Sequence, residues 1–244
     1  MHQKRICCPP LSEAVRYAAG YLKELGFDIT ASADMDAAHL LLPVPSFPAA
    51  SSFLREALPT LSEEVLISGG NLDGQLPGRR TVDYLKDPYY LAENAAITAE
   101  CAIEIVKKQF CEPLDSCPVL IIGWGRIGKC LGSLLKKAKA DVTVAARKDA
   151  DRAMARALGC RGISIEDASA ELMHYRVNLN TVPVMVLPDM VTHPEAVILE
   201  LASKPGMSGA NIIDARGLPS KMAPEASGKL IAQTFIRLSL GKEV

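Results

Sequence analysis

The sequence predicts an α/β protein built on parallel sheets, and three observations carry that prediction. Short apolar runs rich in Val, Ile and Leu alternate with stretches of helical periodicity along most of the 244 residues. One run, Val119-Leu120-Ile121-Ile122, passes straight into Gly123-Trp124-Gly125-Arg126-Ile127-Gly128. A helical pattern follows with Ile127, Leu131, Leu134 and Leu135 on one face and Lys136 and Lys137 near its end, and then a second run, Val142-Thr143-Val144-Ala145. Residues 118–148 therefore read as strand, glycine turn, helix, strand. An unbroken apolar strand suits a sheet covered by helices on both faces.

In that context the glycine spacing has a chemical meaning. Gly123 permits a tight turn. Gly125 lacks a side chain, so a pyrophosphate can approach the backbone, and Gly128 lets the helix pack close to the strand. The helix N-terminus offers free N–H groups and the positive end of its dipole. Residues 123–128, with Trp124, Arg126 and Ile127 between the glycines, are the expected dinucleotide contacts. The second half is then a doubly wound parallel sheet of the Rossmann type. The end of the second strand selects the nucleotide. Ala145-Ala146-Arg147-Lys148 stands where an NAD site usually has Asp or Glu on the ribose 2′-hydroxyl, and Arg152 lies a turn later. Cations in place of a carboxylate favour a 2′-phosphate, so NADP is expected in preference to NAD, with Ala146, Arg147 and Lys148 as contacts.

Composition fits this reading. Hydrophobic residues are 49%, charged residues 23% and the net charge is −1, which gives no field for a nucleic-acid partner. The longest apolar runs fall far below membrane-spanning length, and no secretory signal precedes Ile6, so a cytoplasmic protein is expected. The seven cysteines are scattered without a C-x-x-C, as expected for reduced, mostly buried thiols, and no metal site is expected.

In order along the chain, residues 4–8 read as a first strand, broken by Pro9 and Pro10. Ser12 and Glu13 begin a helix through Leu25, with Leu11, Val15, Ala18, Ala19 and Leu22 apolar, and Gly26 ends it. Residues 27–30 and 39–42 read as strands, the second closed by Pro43 and Pro45. Ser51 or Ser52 is a candidate cap for a short helix over residues 53–58. Residues 64–68 read as a strand, followed by a loop, SGGNLDGQLPGRR. This is a smaller, flavodoxin-like α/β domain over residues 1–85. It lacks a phosphate-type glycine loop, so a substrate or interface role is expected. A linker helix spans residues 86–112. The Rossmann domain takes residues 113–244, with helices over 153–158 and 166–173, strands over 162–165, 177–181, 197–201 and 211–214, and a closing helix over 225–240. Three polar segments gather at its C-terminal edge, where ligands of open α/β sheets bind: Asn180-Thr181-Val182-Pro183, Ala202-Ser203-Lys204-Pro205-Gly206, and Arg216 to Lys221.

These segments resemble the family of the A subunit of dipicolinate synthase. That family has VLGLGRTG where this chain has LIIGWGRIG, and GAR where it has Ala145-Ala146-Arg147. Its NTIP matches Asn180-Thr181-Val182-Pro183. LDLASRPGG is similar to LELASKPGM at residues 199–207, and GLPGKVAPKTAG to GLPSKMAPEASG at residues 217–228. D-D-x-x-x-x-N…P-T-x-E-G resembles Asp87, Asn94, Thr98 and Glu100. The similarity covers residues 64–244. The chain departs from the family's pattern at Lys204, an arginine there; at Met207 and Cys101, glycines there; and at Cys7-Cys8-Pro9-Pro10-Leu11, a G-G-D-x-R loop there.

The resemblance implies an NADP-dependent oxidoreductase that oxidises a dihydrodipicolinate-type ring to pyridine-2,6-dicarboxylate. It also implies a role in spore formation and a second, flavoprotein-like subunit. A homo-oligomer is expected. The resemblance places Lys204, Glu100 and Asn94 as catalytic residues. Ser68, Gly69, Thr98, Ser203 and Lys221 would meet the small dicarboxylate, and Asn180, Thr181, Val182, Pro183 and Ala202 the cofactor. A wider resemblance to D-2-hydroxyacid dehydrogenases puts Lys204 where they hold a catalytic arginine. The matching histidine is not evident: His174 and His193 sit in other segments, and His2 and His39 are no better placed. Two alternatives are a reductase of another small carboxylic acid and a non-catalytic NADP-binding subunit.

Overall fold

In a computed structural model of the chain, residues 5–33 and 36–241 are described. They fall into two compact units, one running to Asn94 and resuming at Pro219, the other Ala95–Leu218. His2 and Lys4 lie outside the described residues.

The first unit begins with β1 (Arg5–Cys7), α1 (Glu13–Glu24), β2 (Ile29–Thr30), β3 (Ala37–Leu41), α2 (Ser51–Ala57), β4 (Leu66–Gly69) and β5 (Arg80–Asp83). The strands pair parallel in the order β2-β1-β3-β4-β5, the expected flavodoxin-like arrangement. Ser12 caps α1, its hydroxyl accepting the Val15 N–H at 3.2 Å, and Gly26 follows the helix at φ +87°. Leu40, Leu42, Leu54, Ile67 and Leu72 form the centre of the core. One expectation is corrected here. The N-cap of α2 is Ala50 with no side-chain cap bond; neither Ser51 nor Ser52 caps it. The expected loop over residues 68–80 is followed by β5, an edge strand that the sequence pattern does not predict. Its polar RTVD sequence carries no apolar run, yet Asp83 gathers the preceding loop by accepting the N–H groups of Asn71 (3.0 Å) and Leu72 (2.8 Å).

The second unit contains β6 (Pro118–Ile122), reached through α3 (Pro88–Gln109), which spans the boundary between the units. Then follow α4 (Arg126–Lys137), β7 (Asp141–Ala145), α5 (Asp149–Ala157), β8 (Arg161–Ile163), α6 (Ile165–Glu171), β9 (Val177–Asn180), β10 (Leu187–Met190), β11 (Val197–Glu200), β12 (Met207–Gly209) and β13 (Ile212–Asp214). The main sheet is six-stranded and parallel, ordered β8-β7-β6-β9-β11-β13. That is the doubly wound order, reversing between β6 and β9, so a crevice opens beyond the C-terminal ends of those two strands. Strands β10 and β12 form a separate parallel pair that the sequence pattern did not announce, because Pro188 and Asp189 interrupt any alternation.

The chain ends with α7 (Leu218–Met222) and α8 (Pro224–Leu240). Helix α8, expected to close the Rossmann domain, instead packs on α1 in the first unit. The reason is steric. Helix α1 presents Ala14, Val15 and Ala18, and α8 sets Gly228 against them; a Cβ at Gly228 would lie 2.5 Å from the Ala14 carbonyl oxygen and 2.6 Å from Tyr17 Cβ. Arg237 of α8 also pairs with Asp87, Nη1 to Oδ1 at 3.2 Å.

Gly228→Ala is therefore expected to destabilise the protein by about 1–3 kcal/mol through overpacking. Chemical denaturation with α1 and α8 peptides followed by hydrogen exchange checks it; unchanged stability would mean that the two helices do not pack this closely.

Candidate functional site

The site is built at the end of β6. Gly123 has φ +98°, a conformation that L side chains rarely adopt, and a Cβ there would come within 2.5 Å of Thr181 Oγ1. Gly128 lies against the turn, where a Cβ would be 2.3 Å from the Gly123 carbonyl oxygen. This contact seats the first turn of α4 on the strand. Gly125, the N-cap of α4, is different: a Cβ there meets nothing within 4 Å. No side chain caps α4, so its first N–H groups face open space above Gly125. The tight turn at Gly123 and the close packing at Gly128 are as expected, and the space above Gly125 is open.

A hollow of about 300 Å³ opens at this point. Its floor is Gly123, Trp124 and Gly125; one wall is Ala146, Arg147 and Lys148; the other is Thr181, Val182 and Pro183. Segments far apart in sequence thus meet as the spacing predicted, each at the end of its own strand. Thr181 is held in place by its hydroxyl, which donates to the Ile122 carbonyl at 2.9 Å. Trp124 is 5% exposed and lies on Gly132, where a Cβ would be 2.8 Å from its ring. Arg126 and Ile127 begin α4 without lining the hollow.

The charges at the hollow divide by employment. Arg152 donates to the Ala146 and Arg147 carbonyls at 2.7 and 2.9 Å and pairs with Asp149, so it braces the β7–α5 turn. The side chains of Arg147 and Lys148 have no such partner among the described residues and stay available to an anion. Sequence reasoning missed one lining residue, Ile165. Asp151, on the first turn of α5, lines the hollow too and partly offsets the basic charge.

The larger omission is Glu200. It is 4% exposed at the end of β11, directly across from Asn180 of β9 in the sheet register. Its carboxylate accepts the Asn180 amide at 2.8 and 3.0 Å, the Ala202 N–H at 3.0 Å and the Gly206 N–H at 2.8 Å. The Asn180 side chain also brackets Val182, donating to its carbonyl at 3.1 Å and accepting its N–H at 3.0 Å. Asn180 and Ala202, expected as cofactor contacts, are thereby committed to this buried network and do not line the hollow. A buried carboxylate must be hydrogen-bonded; an acidic residue closing an apolar strand, one residue after Leu199, was the available signal.

The remaining expected residues are dispersed. Ser203 and Lys204 are exposed on the loop that Glu200 holds. Glu100 is exposed on α3 and lines a groove with Lys129, Cys130 and Ser133 of α4, apart from the hollow. Thr98 is buried and Asn94 half-buried on α3. In the first unit, Ser68 is buried with its hydroxyl 2.9 Å from that of Ser239, and Gly69 is packed so that a Cβ would meet Ser46 Oγ at 2.4 Å; neither offers a surface to a ligand. Lys221 is exposed on α7. Arg216, beyond β13, makes a two-pronged pair with Asp214, and this hydrogen bonding raises its pKa further. His174 is exposed, and His193 Nδ1 accepts the Glu195 N–H at 3.1 Å.

The strand order and the glycine turn define a protein of the Rossmann-type α/β class, with one flavodoxin-like parallel unit and one doubly wound unit. Within that class the chain resembles the A subunit of dipicolinate synthase in both sequence and fold. It is 26% identical over 156 residues to the A subunit of dipicolinate synthase from Bacillus subtilis (strain 168), a match covering 59% of this chain and 52% of the relative. The aligned stretch thus spans about half the length of that curated relative. Crystal structures of the same subunit from Bacillus halodurans and from Bacillus subtilis share the fold at TM-scores of 0.78 and 0.78, with 20% and 18% identity. The first match covers 96% of each chain, the second 99% of this chain and 97% of the other. A transhydrogenase from Sinorhizobium meliloti shares the fold at a TM-score of 0.66 and 13% identity, covering 97% of this chain and 94% of that one. No family model matches the chain.

The two glycines separate binding from folding. Gly125→Val is expected to fold normally, since its side chain enters open space, and to lose NADPH binding. Gly128→Ala, forced against the Gly123 carbonyl, is expected to lose about 1–3 kcal/mol of stability. Calorimetric titration alongside thermal unfolding distinguishes them; a folded Gly125→Val that binds NADPH normally would remove the phosphate role of this turn.

Proposed function

We propose that the protein is an NADP-dependent oxidoreductase acting on a small cyclic dicarboxylate. On this reading it oxidises a dihydrodipicolinate-type ring to pyridine-2,6-dicarboxylate. The observation that carries it is the hollow at the end of β6, which joins an open glycine, an uncapped helix N-terminus and two cations without partners among the described residues. Gly125 and the first turn of α4 would hold the pyrophosphate, and Arg147 and Lys148 the 2′-phosphate. The apolar wall of Val182 and Pro183 would receive the nicotinamide end and keep water from it. The nicotinamide supplies the chemistry when bound: the ring gives it a hydride and releases one proton, so the pair of electrons leaves with the hydride and the ring becomes aromatic. Lys204 would meet a substrate carboxylate as a point charge, from the loop beside that wall. Because the hollow is lined by Asp151 as well, its charge balance is set by two cations against one carboxylate. Similarity to a protein that is itself one subunit of a synthase supports a second polypeptide as partner.

A second reading, a non-catalytic NADP-binding subunit, is favoured by the histidines: His174 is exposed and His193 is bonded to its own turn, so neither faces the hollow. Turnover of the ring substrate with NADP by the purified protein separates the two.

NADPH is expected to bind more tightly than NADH, and Arg147→Ala is expected to cost NADPH about 1.5–3 kcal/mol while leaving NADH nearly unchanged, as for a lost charged hydrogen bond. Isothermal titration measures both; equal or reversed affinities overturn the NADP assignment. Pyridine-2,6-dicarboxylate, titrated into the NADP complex, tests Lys204: Lys204→Ala should weaken it about tenfold, or roughly 1.4 kcal/mol, and Lys204→Arg should retain it. If Lys204→Ala binds as the parent does, the lysine is a solvated surface residue.

A further inference from the structure

We propose that Glu200 is a positioning residue that couples the nucleotide-lining segment 181–183 to the loop 202–206, so that occupancy of the hollow sets where the Lys204 ammonium stands. The proposal rests on the dinucleotide reading of the hollow and deepens it.

Three observations carry it. First, one buried carboxylate serves both segments: it takes the Asn180 amide from one side and the Ala202 and Gly206 N–H groups from the other. All of these donors are neutral N–H groups, and both oxygens are in use. Second, Asn180 transmits the hold directly, since its side chain fixes both the N–H and the carbonyl of Val182, a lining residue of the hollow. Third, the two segments are in steric contact where they meet. A Cβ at Gly206 would sit 2.2 Å from the Val182 carbonyl oxygen and 2.5 Å from Asn180 Nδ2, and the Gly206 carbonyl accepts the Val186 N–H at 2.9 Å. Between Ala202 and Gly206 the loop carries only Ser203, Lys204 and Pro205. The base of the Lys204 loop is therefore pinned at both ends to the group that pins Val182. A ligand that presses on Val182 and Pro183 is resisted through Asn180 and Glu200 together, and this linkage acts equally in the opposite direction.

Backbone hydrogen exchange reads the coupling without any substrate. In Glu200→Gln an amide donor replaces an acceptor, so at least one of the three N–H groups loses its partner. Exchange should accelerate at least tenfold in both 181–186 and 202–206, with residues 118–128 unchanged. Asn180→Ala should accelerate 202–206 as well as its own segment. In the parent, saturating NADPH should slow exchange at 202–206 at least threefold, and Glu200→Gln should lose that effect, which a merely space-filling role would not produce. Acceleration confined to the mutated residue's own segment overturns the proposal. Should Glu200→Gln fail to fold, Asn180→Ala and the NADPH protection in the parent decide. If NADPH binds without protecting 202–206, the coupling is wrong and the dinucleotide site stands. If NADPH does not bind at all, the dinucleotide reading fails, and exchange in the ligand-free single variants still judges the coupling.

Discussion

The contact between Gly128 and the Gly123 carbonyl is the constraint on which the candidate site depends. No side chain can stand between them, so the first turn of α4 comes down onto the end of β6 and its N–H groups point over Gly125. That places a partial positive charge at one fixed spot beyond the sheet. The remainder of the hollow is arranged around the spot by strand order alone. Strands β7 and β9 flank β6, so whatever follows those strands becomes a wall. Ala146 to Lys148 and Thr181 to Pro183 owe their meeting to parallel pairing, with Ile122 opposite both Ala145 and Asn180 in register.

The protein manages its charges at this edge in two ways. Groups that shape the loops are paired: Arg152 with carbonyls and Asp149, Arg216 with Asp214, Glu200 with N–H donors. Groups that face the hollow, Arg147 and Lys148, are left without a partner among the described residues. A cation whose hydrogen bonds are already satisfied gains little from an incoming phosphate, because the new bond replaces an old one. An unpartnered guanidinium gives up only water for the phosphate, and the charge-assisted bond leaves a net gain. On the proposed reading, Arg147, and not Arg152, is accordingly the arginine available to a 2′-phosphate, although both lie within the same short stretch.

Residues 118–148 determined the central part of the structure by themselves. The strand–turn–helix–strand order, the hollow's floor and its basic wall all follow from local periodicity and from glycines whose roles are steric. The doubly wound order was legible for the same reason: strands that are apolar throughout have to be interior, and helices between them force parallel crossovers. The flavodoxin-like sheet in the first unit was readable too, except for β5, whose polar sequence is that of an edge strand and announces no burial.

Only the tertiary structure decided which polar residues line the hollow and which are bound up in the fold. Asn180 and Thr181 are neighbours of the same chemical kind, yet one is turned inward to Glu200 and the other lines the hollow. Alternation along a strand separates their side chains, but the partner that claims Asn180 comes from 20 residues further on. Ser68 and Gly69 looked like ligand groups until β4 buried them, and α8 joined α1 because Gly228 fits against Ala14. A hydrogen-bonding group declares its capacity in the sequence; its partner is set by what the fold brings within about 3 Å, and that distance is a property of the packed chain.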